Sequence, residues 1–160
     1  MKNQNVLYLV QAAMIAAIYV ALTFVFQAFS FGQVQVRIAE ALTILPAFTP
    51  AAIPGLFIGC LIGNLLGGTI LPDIIFGSLA TLLGALFTYI LRKQSKYLAP
   101  LPPIIFNTLI MPFVLRYAYG LGLPIWYFML TIGAGELISC GVLGLILYTA
   151  LQKYPTILYP

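Results

Sequence analysis

The sequence is 160 residues long, 62% hydrophobic and 6% charged, with a formal net charge of +4. A soluble domain carries about 25% charged residues, because charged groups must cover its surface. Seven basic and three acidic side chains cannot coat a soluble domain of this length. The composition therefore excludes soluble enzymes and binding domains, and it predicts a single-domain integral membrane protein.

The remaining general signals exclude two further classes. The one basic cluster, "RKQSK" at 92–96, fits a cytoplasmic loop, so we expect no nucleic-acid binding. Cys60 and Cys140 lie within apolar runs and lack metal-ligand spacing. We therefore expect both cysteines to be small buried hydrophobic side chains that belong to neither a disulfide framework nor a metal site.

The first predicted helix covers about residues 6–29, within an apolar stretch too long for a secretory signal, whose apolar region has about 7–15 residues. Small residues recur in it at intervals of four. Such a stripe lets another helix approach closely, either a partner protein's or one of the same chain. The stripe consists of Ala12, Ala13, Ala16, Ala17 and Ala21.

Helices 2 and 3 are predicted at about 36–48 and 52–68. The 32 uncharged residues between Glu40 and Asp73 are too few for two spans of about 20 residues each. Helix 2 must therefore begin before Glu40, which places Arg37 and Glu40 in its opening turns. Prolines in "PAFTPAAIP" break the helix and predict the turn between the two.

Three more helices complete the predicted fold, at about 73–91, 103–117 and 124–151. The fold is then an all-α membrane protein with six transmembrane helices, a short helix 2 and both termini in the cytoplasm. In this orientation every lysine falls on the cytoplasmic side, as the positive-inside rule requires. All three acids fall in the outer half.

Ionisable groups at membrane depth are expensive, about 2.5–3.5 kcal/mol each, and usually mark a binding site or pathway. Glu136 can contact a ligand or pair structurally with Arg116 or Arg37. Asp73, at the start of helix 4, can contact a ligand or cap the helix. Arg37 and Glu40, three residues apart, share a helix face and can pair locally.

Three uncharged side chains are further candidates. Asn64 and Asn107 are amides at membrane depth that can bridge helices or hydrogen-bond to a ligand. Trp126 can belong to an aromatic belt at the headgroup level or offer a stacking surface to a planar ligand. The chain has no phosphate-binding loop, metal set or nucleophile–base arrangement. The acids therefore predict binding rather than catalysis.

Four segments of the sequence resemble the QueT family of queuosine-precursor transporters, which are substrate-binding (S) components of energy-coupling factor (ECF) transporters. They are "VRIAEALTILP" at 36–46, "AIPGLFIGCLIGNLLGG" at 52–68, "DIIFGSLATLLGA" at 73–85 and "PPIIFNTLI" at 102–110. The helix 1 alanines match the small-residue motif with which S components dock on the coupling subunit.

This resemblance implies a six-helix protein of the plasma membrane that captures its substrate under the extracellular loops. It further implies partners that use ATP in place of any cofactor in this chain: a transmembrane coupling (T) subunit and two ATP-binding-cassette (ABC) ATPases. The S component then topples in the bilayer and releases the substrate inward.

The outer-half charges bear on the substrate. Two arginines and three acids leave a net charge of −1, which disfavours anionic vitamins and suits a cation or a neutral polar ring. The ligand that the resemblance implies, 7-aminomethyl-7-deazaguanine (preQ1), has both a purine-like ring and a protonated amine. We expect Glu136 to accept from the ring amino and N–H edge, Asp73 or Glu40 to neutralise the aminomethyl group, and Asn107 or Asn64 to donate to the carbonyl. Arg37 and Arg116 would keep the carboxylates ionised.

Arg37 and Glu40 have two possible roles. They stand at the extracellular mouth of a substrate pocket, where Arg37 sets the charge and position of Glu40, or they form a latch that holds the helix 1–2 loop closed over the ligand. Three rival functions also remain open. They are an S component for thiamine or riboflavin, a self-contained small transporter or channel that works without an ATPase, and a membrane-embedded enzyme.

Overall fold

The computed structural model describes residues 2–27 and 36–153, which are helical or lie in short loops and include no strand. The prediction of an all-α fold is therefore confirmed for this part of the chain. The last residues of the predicted helix 1, 28 and 29, lie outside it. The helices are α1 (Lys2–Val25), α2 (Ile38–Ala47), α3 (Ala52–Leu66), α4 (Leu71–Leu91), α5 (Leu101–Phe113, extended by Val114–Ala118) and α6 (Ile125–Glu136, Leu137–Leu143 and Gly144–Leu151).

Among the described residues, four helical stretches are long and apolar enough to cross a membrane, namely Gln4–Val25, Leu71–Leu91, Lys96–Ala118 and Ile125–Leu151. The helices α2 and α3, with 10 and 15 residues, are shorter than the roughly 20 residues that a perpendicular span needs. The structure thus supports a multi-helix membrane protein. Six spans and cytoplasmic termini stay a prediction.

The helix α1 packs closely against α3 because α3 has glycines at the contact. A Cβ added at Gly55 would lie 2.7 Å from the carbonyl oxygen of Ala12, and one at Gly59 would lie 2.9 Å from Cβ of Tyr19. Ala12 and Ala16 are buried here, whereas Ala13, Ala17 and Ala21 are exposed. The predicted alanine stripe is therefore divided between an internal contact and an outer face.

The helix α2 is a 3₁₀ helix rather than the predicted α-helix. Residues Ala39 to Ala47 are all buried in it, so α2 is packed on every side. In a 3₁₀ helix the side chains at i and i+3 eclipse, which aligns Glu40 with Thr43. The Thr43 hydroxyl also donates to the carbonyl oxygen of Glu40 at 2.6 Å.

The helix α6 changes geometry at the site that the sequence singled out. Glu136 is the last residue of its first α-helical part, and a π-helical segment, Leu137–Leu143, follows directly. Such π segments frequently occur at functional sites. Further along α6, a Cβ at Gly144 would lie 3.1 Å from Cγ2 of Ile44. That glycine lets α2 pack against α6 and brings Glu40 near the π segment.

Two further glycines allow a turn after α3 and a close contact between α4 and α5. The helix α3 ends before Gly67 and Gly68, and Gly68 has a φ of +74°, a left-handed conformation that glycine adopts without strain. A Cβ at Gly84 of α4 would lie 2.8 Å from Cα of Pro103, so α4 and α5 also meet through a glycine. The helix α4 begins at Leu71, and Pro72 lies in its first turn.

Candidate functional site

Four of the charged residues singled out by sequence are buried together where α2, α4 and α6 meet. Glu40 and Asp73 are each 1% exposed, Glu136 is 3% exposed and Arg37 is 6% exposed. Two asparagines from the neighbouring α3 and α5, Asn64 and Asn107, are also buried. We call these six residues the polar cluster.

The carboxylate of Glu40 is held by donors from two other helices. The Tyr19 hydroxyl of α1 donates to its Oε1, and the Thr81 hydroxyl of α4 donates to the same oxygen at 3.3 Å. Arg37 and Glu40 are both buried inside the bundle, and their place at the mouth of a substrate pocket stays a prediction. Arg37 forms an ion pair with Asp73, with Nη2 3.8 Å from Oδ1.

Glu136 and Glu40 are linked through a thiol. Cys140 Sγ donates to Glu136 Oε2 at 3.0 Å and lies 3.4 Å from the carbonyl oxygen of Glu40. One possible metal-ligand atom from each of Glu40, Glu136 and Cys140 lies within 4.8 Å of the other two. Two carboxylates and a thiol could ligate a metal ion, although the thiol here serves as a hydrogen-bond donor. Cys140 is thus a polar part of the site and not only a small buried hydrophobic residue.

Asp73 connects the polar cluster with the loop between α5 and α6. Its Oδ1 lies 3.8 Å from Arg37 Nη2, and its Oδ2 accepts a hydrogen bond from the Tyr119 hydroxyl at 2.7 Å. Burial and this hydrogen bond raise the pKa of the Tyr119 phenol to about 12. Asp73 lies in the first turn of α4, but its two oxygens contact the side chains of Arg37 and Tyr119 and do not cap the backbone N–H groups of the helix.

Several buried polar atoms of the cluster have no hydrogen-bond partner among the described residues. Two are acceptors, Glu40 Oε2 and Asp73 Oδ1, and one is a donor, Asn107 Nδ2. The Asn107 side chain lies near Glu136. The buried hydroxyl of Ser139, in the π segment, also has no hydrogen-bond partner among the described residues. Buried polar groups are nearly always hydrogen-bonded in folded proteins, so these atoms are suited to a polar ligand.

Asn64 reaches the cluster because α4 has a glycine opposite to it. Its Nδ2 donates to Cys60 Sγ at 3.5 Å. A Cβ at Gly77 would lie 3.1 Å from that nitrogen and 3.5 Å from Asp73 Oδ1. The glycine therefore leaves room for an amide beside a carboxylate.

Comparison with known families decides the identity. The model of the family described as "QueT transporter" matches residues 9–153. The chain belongs to the QueT transporter family. Its function is therefore transport, in agreement with the apolar helices, and the family is one of transporters rather than enzymes. No curated protein and no solved structure is similar enough to this chain to match it.

Two of the predicted site residues of this QueT protein lie apart from the polar cluster. Arg116 Nη1 donates to the carbonyl oxygen of Leu123 at 2.6 Å, which folds the loop between α5 and α6. Trp126 is 63% exposed and contacts Tyr127 edge-on. That exposure fits an aromatic belt better than a stacking surface within the bundle.

Four residues that complete the site were missed as candidates by sequence reasoning. Tyr19 and Thr81 hold Glu40, Cys140 holds Glu136, and Tyr119 holds Asp73. Tyrosine, threonine and cysteine are ordinary in apolar helices, so only the packing of α1, α4 and α6 distinguishes these four. Helical spacing gives one signal, since Cys140 lies four residues after Glu136.

Proposed function

We propose that this protein is the S component of an ECF-type ABC importer of the plasma membrane, which captures preQ1 from the extracellular side. A T subunit and two ABC ATPases would then drive its inward release. The observation that carries this proposal is the polar cluster, with three buried carboxylates and the single arginine among its described residues, in a protein of the QueT family.

The charge of the cluster favours a cationic ligand. Burying carboxylates near one another is unfavourable unless positive charge or donors compensate. Arg37 supplies one positive charge, next to Asp73. A ligand with a protonated amine would supply the second, whereas an anionic vitamin would add to the repulsion.

The unpartnered atoms of the cluster match the edges of a 7-deazaguanine. This ring offers amino and ring N–H donors and one carbonyl acceptor, and preQ1 adds an ammonium group. Glu136 is assigned to the amino and ring N–H edge. Asp73 or Glu40, whose oxygens Oδ1 and Oε2 accept no hydrogen bond from the described residues, would meet the ammonium group, and Asn107 or Asn64 would donate to the carbonyl.

The outer face of α1 supports docking on a coupling subunit. A groove of about 740 Å³ runs between α1 and α3, and its lining includes the exposed Ala13, Ala17 and Ala21. Small side chains there leave room for a partner helix to approach. Ala12 and Ala16 also line the groove, and they pack α1 against Gly55 and Gly59.

Calorimetric titration of the detergent-purified chain with preQ1, guanine and thiamine tests the proposal. We expect tight binding of preQ1 without any partner, and much weaker binding of guanine, which lacks the aminomethyl group. Glu136→Gln should weaken preQ1 binding by about tenfold or more, since a charged hydrogen-bond acceptor is lost. Thr149→Ala, on the exposed side of the same helix, is the matched control.

Other outcomes separate the rival functions. Preferential binding of thiamine would keep the role of S component and overturn the substrate. Uptake of preQ1 into liposomes that contain this chain alone would favour a self-contained transporter. An absence of binding for all three compounds would contradict the proposal.

A further inference from the structure

The two carboxylate oxygens of Glu40 have different surroundings. Oε1 accepts hydrogen bonds from the hydroxyls of Tyr19 and Thr81. Oε2 is buried and has no hydrogen-bond partner among the described residues. An ionised carboxylate accepts hydrogen bonds on both oxygens. One oxygen is thus held by the protein, and the other is presented inside the polar cluster.

Glu40 is also the acid of the cluster best placed to receive a cation. Asp73 already lies 3.8 Å from the Arg37 guanidinium and accepts from Tyr119. Glu40 also interacts with the charge of Arg37, but it has a second carboxylate, Glu136, as a near neighbour, since both lie within the 4.8 Å group that includes Cys140. A cation at Glu40 Oε2 would therefore relieve repulsion between two carboxylates.

We propose that Tyr19 is a specificity-determining positioning residue for the amine of the ligand. Its hydroxyl, together with that of Thr81, fixes Glu40 Oε1 and so directs Oε2 toward the ammonium group. This inference rests on the proposed function. It goes further by assigning the ammonium group to Glu40 rather than Asp73, and by giving α1 a part in substrate choice.

The packing of α1 holds Tyr19 in place for this role. Tyr19 is 2% exposed, and its Cβ lies so close to α3 that a Cβ at Gly59 would be 2.9 Å away. The Thr23 hydroxyl donates to the Tyr19 carbonyl oxygen at 2.9 Å. A ring confined in this way cannot swing away from Glu40, so its hydroxyl sets the orientation of the carboxylate.

Tyr19→Phe tests the proposal because it removes the hydroxyl and keeps the ring. The probes are preQ1 and 7-methyl-7-deazaguanine, which has the same ring but an uncharged methyl in place of the aminomethyl group. We expect the affinity for preQ1 to fall by about tenfold or more, since the lost donor served a charged acceptor. The affinity for the methyl compound should change much less. Tyr148→Phe, in a buried tyrosine that packs on Phe48, is the matched control and should alter neither.

Two further sets of variants exclude a merely structural role. If Tyr19 acts through Glu40, then Tyr19→Phe should hardly change the selectivity for preQ1 over the methyl compound once Glu40→Gln is present. The effects of the two substitutions would then be non-additive. Thr81→Ser retains the second donor to Oε1 and should retain selectivity, whereas the isosteric Thr81→Val should lower it. The two Thr81 variants also provide the test if Tyr19→Phe does not fold.

The outcomes distinguish this inference from the proposed function. Equal losses for both compounds in Tyr19→Phe, or an undiminished effect in the Glu40→Gln background, would overturn the positioning role alone. A wild-type chain that binds neither compound would overturn the proposed function, and with it this inference. A loss confined to the amine compound, absent once Glu40 is neutral, is the expected result.

Discussion

Cys140 donates a hydrogen bond to Glu136 within one helix, with Sγ 3.0 Å from Oε2. The same thiol lies 3.4 Å from the carbonyl oxygen of Glu40 and 3.4 Å from the Thr43 hydroxyl. A single side chain therefore connects α6 with α2 and ties together two of the three acids. Its position four residues after Glu136, within the π segment, makes this contact possible.

We predict that Cys140→Ala weakens preQ1 binding several-fold, because Glu136 loses a donor that fixes its orientation. Cys140→Ser should retain much of the affinity, since a hydroxyl can donate to the same oxygen. Calorimetric titration of both variants measures the difference. Equal affinities for the alanine and serine variants would show that the hydrogen bond does not contribute to binding.

A second prediction concerns the pair of Arg37 and Asp73, both buried. Arg37→Gln should lower the free energy of unfolding by about 3 kcal/mol, since removing one partner leaves an uncompensated buried charge. The double variant Arg37→Gln/Asp73→Asn should lose less than the sum of the two single variants. Thermal unfolding in one detergent measures all three.

The matched control for this pair is Arg92→Gln. The Arg92 guanidinium lies 3.6 Å from the centroid of the Tyr89 ring, and no acid of the chain is near it in sequence. Its loss should be about 0.5–1 kcal/mol. Strictly additive losses at Arg37 and Asp73 would contradict the predicted coupling.

The sequence predicted the charged members of the polar cluster because polar groups are rare and costly in an apolar chain. Glu40, Asp73 and Glu136 are therefore conspicuous, and so are the arginines and asparagines. The residues that hold them, such as Tyr19 and Thr81, are not conspicuous, since their types are common in membrane helices. Their role depends on which helices pack together, and that is a property of the fold.

The helix boundaries show the same division between local and tertiary causes. Prolines and glycines act locally, so the turn after α2 and the end of α3 at Gly67 follow from the sequence. The 3₁₀ geometry of α2 and the π segment after Glu136 occur where the helices pack closely, as at Gly144 and Ile44. Hydrophobic periodicity contains no information on them.

A third prediction uses the raised pKa of Tyr119, about 12 in the folded protein against an ordinary 10. Because the protonated phenol donates to Asp73, its contribution to stability is fully present below pH 10 and is lost as pH rises through 12. The difference in Tm between the wild type and Tyr119→Phe should therefore be constant from pH 6 to 9 and shrink near pH 11. A difference that changes between pH 6 and 9 would contradict this assignment.

The last prediction tests the division of the alanine stripe on α1. Ala17 is exposed in the groove between α1 and α3, so Ala17→Leu should fill it without disturbing the polar cluster. Co-purification with the proposed coupling subunit and ATPases should fall strongly, while preQ1 affinity changes less than about twofold. Ala16 is buried so near α3 that a Cβ at Gly59 would lie 3.1 Å from its Cα.

Ala16→Leu should accordingly lower the Tm, since overpacking a tight helix contact costs about 1–3 kcal/mol. It should also weaken ligand binding, because displacing α1 moves Tyr19 away from Glu40. Leu130→Trp, at an exposed position on α6, controls for a bulky change on the outer surface and should preserve co-purification. If Ala17→Leu and Leu130→Trp affect assembly equally, the coupling subunit does not dock on the groove. If only Ala17→Leu lowers assembly, the exposed alanines form part of the contact with that subunit.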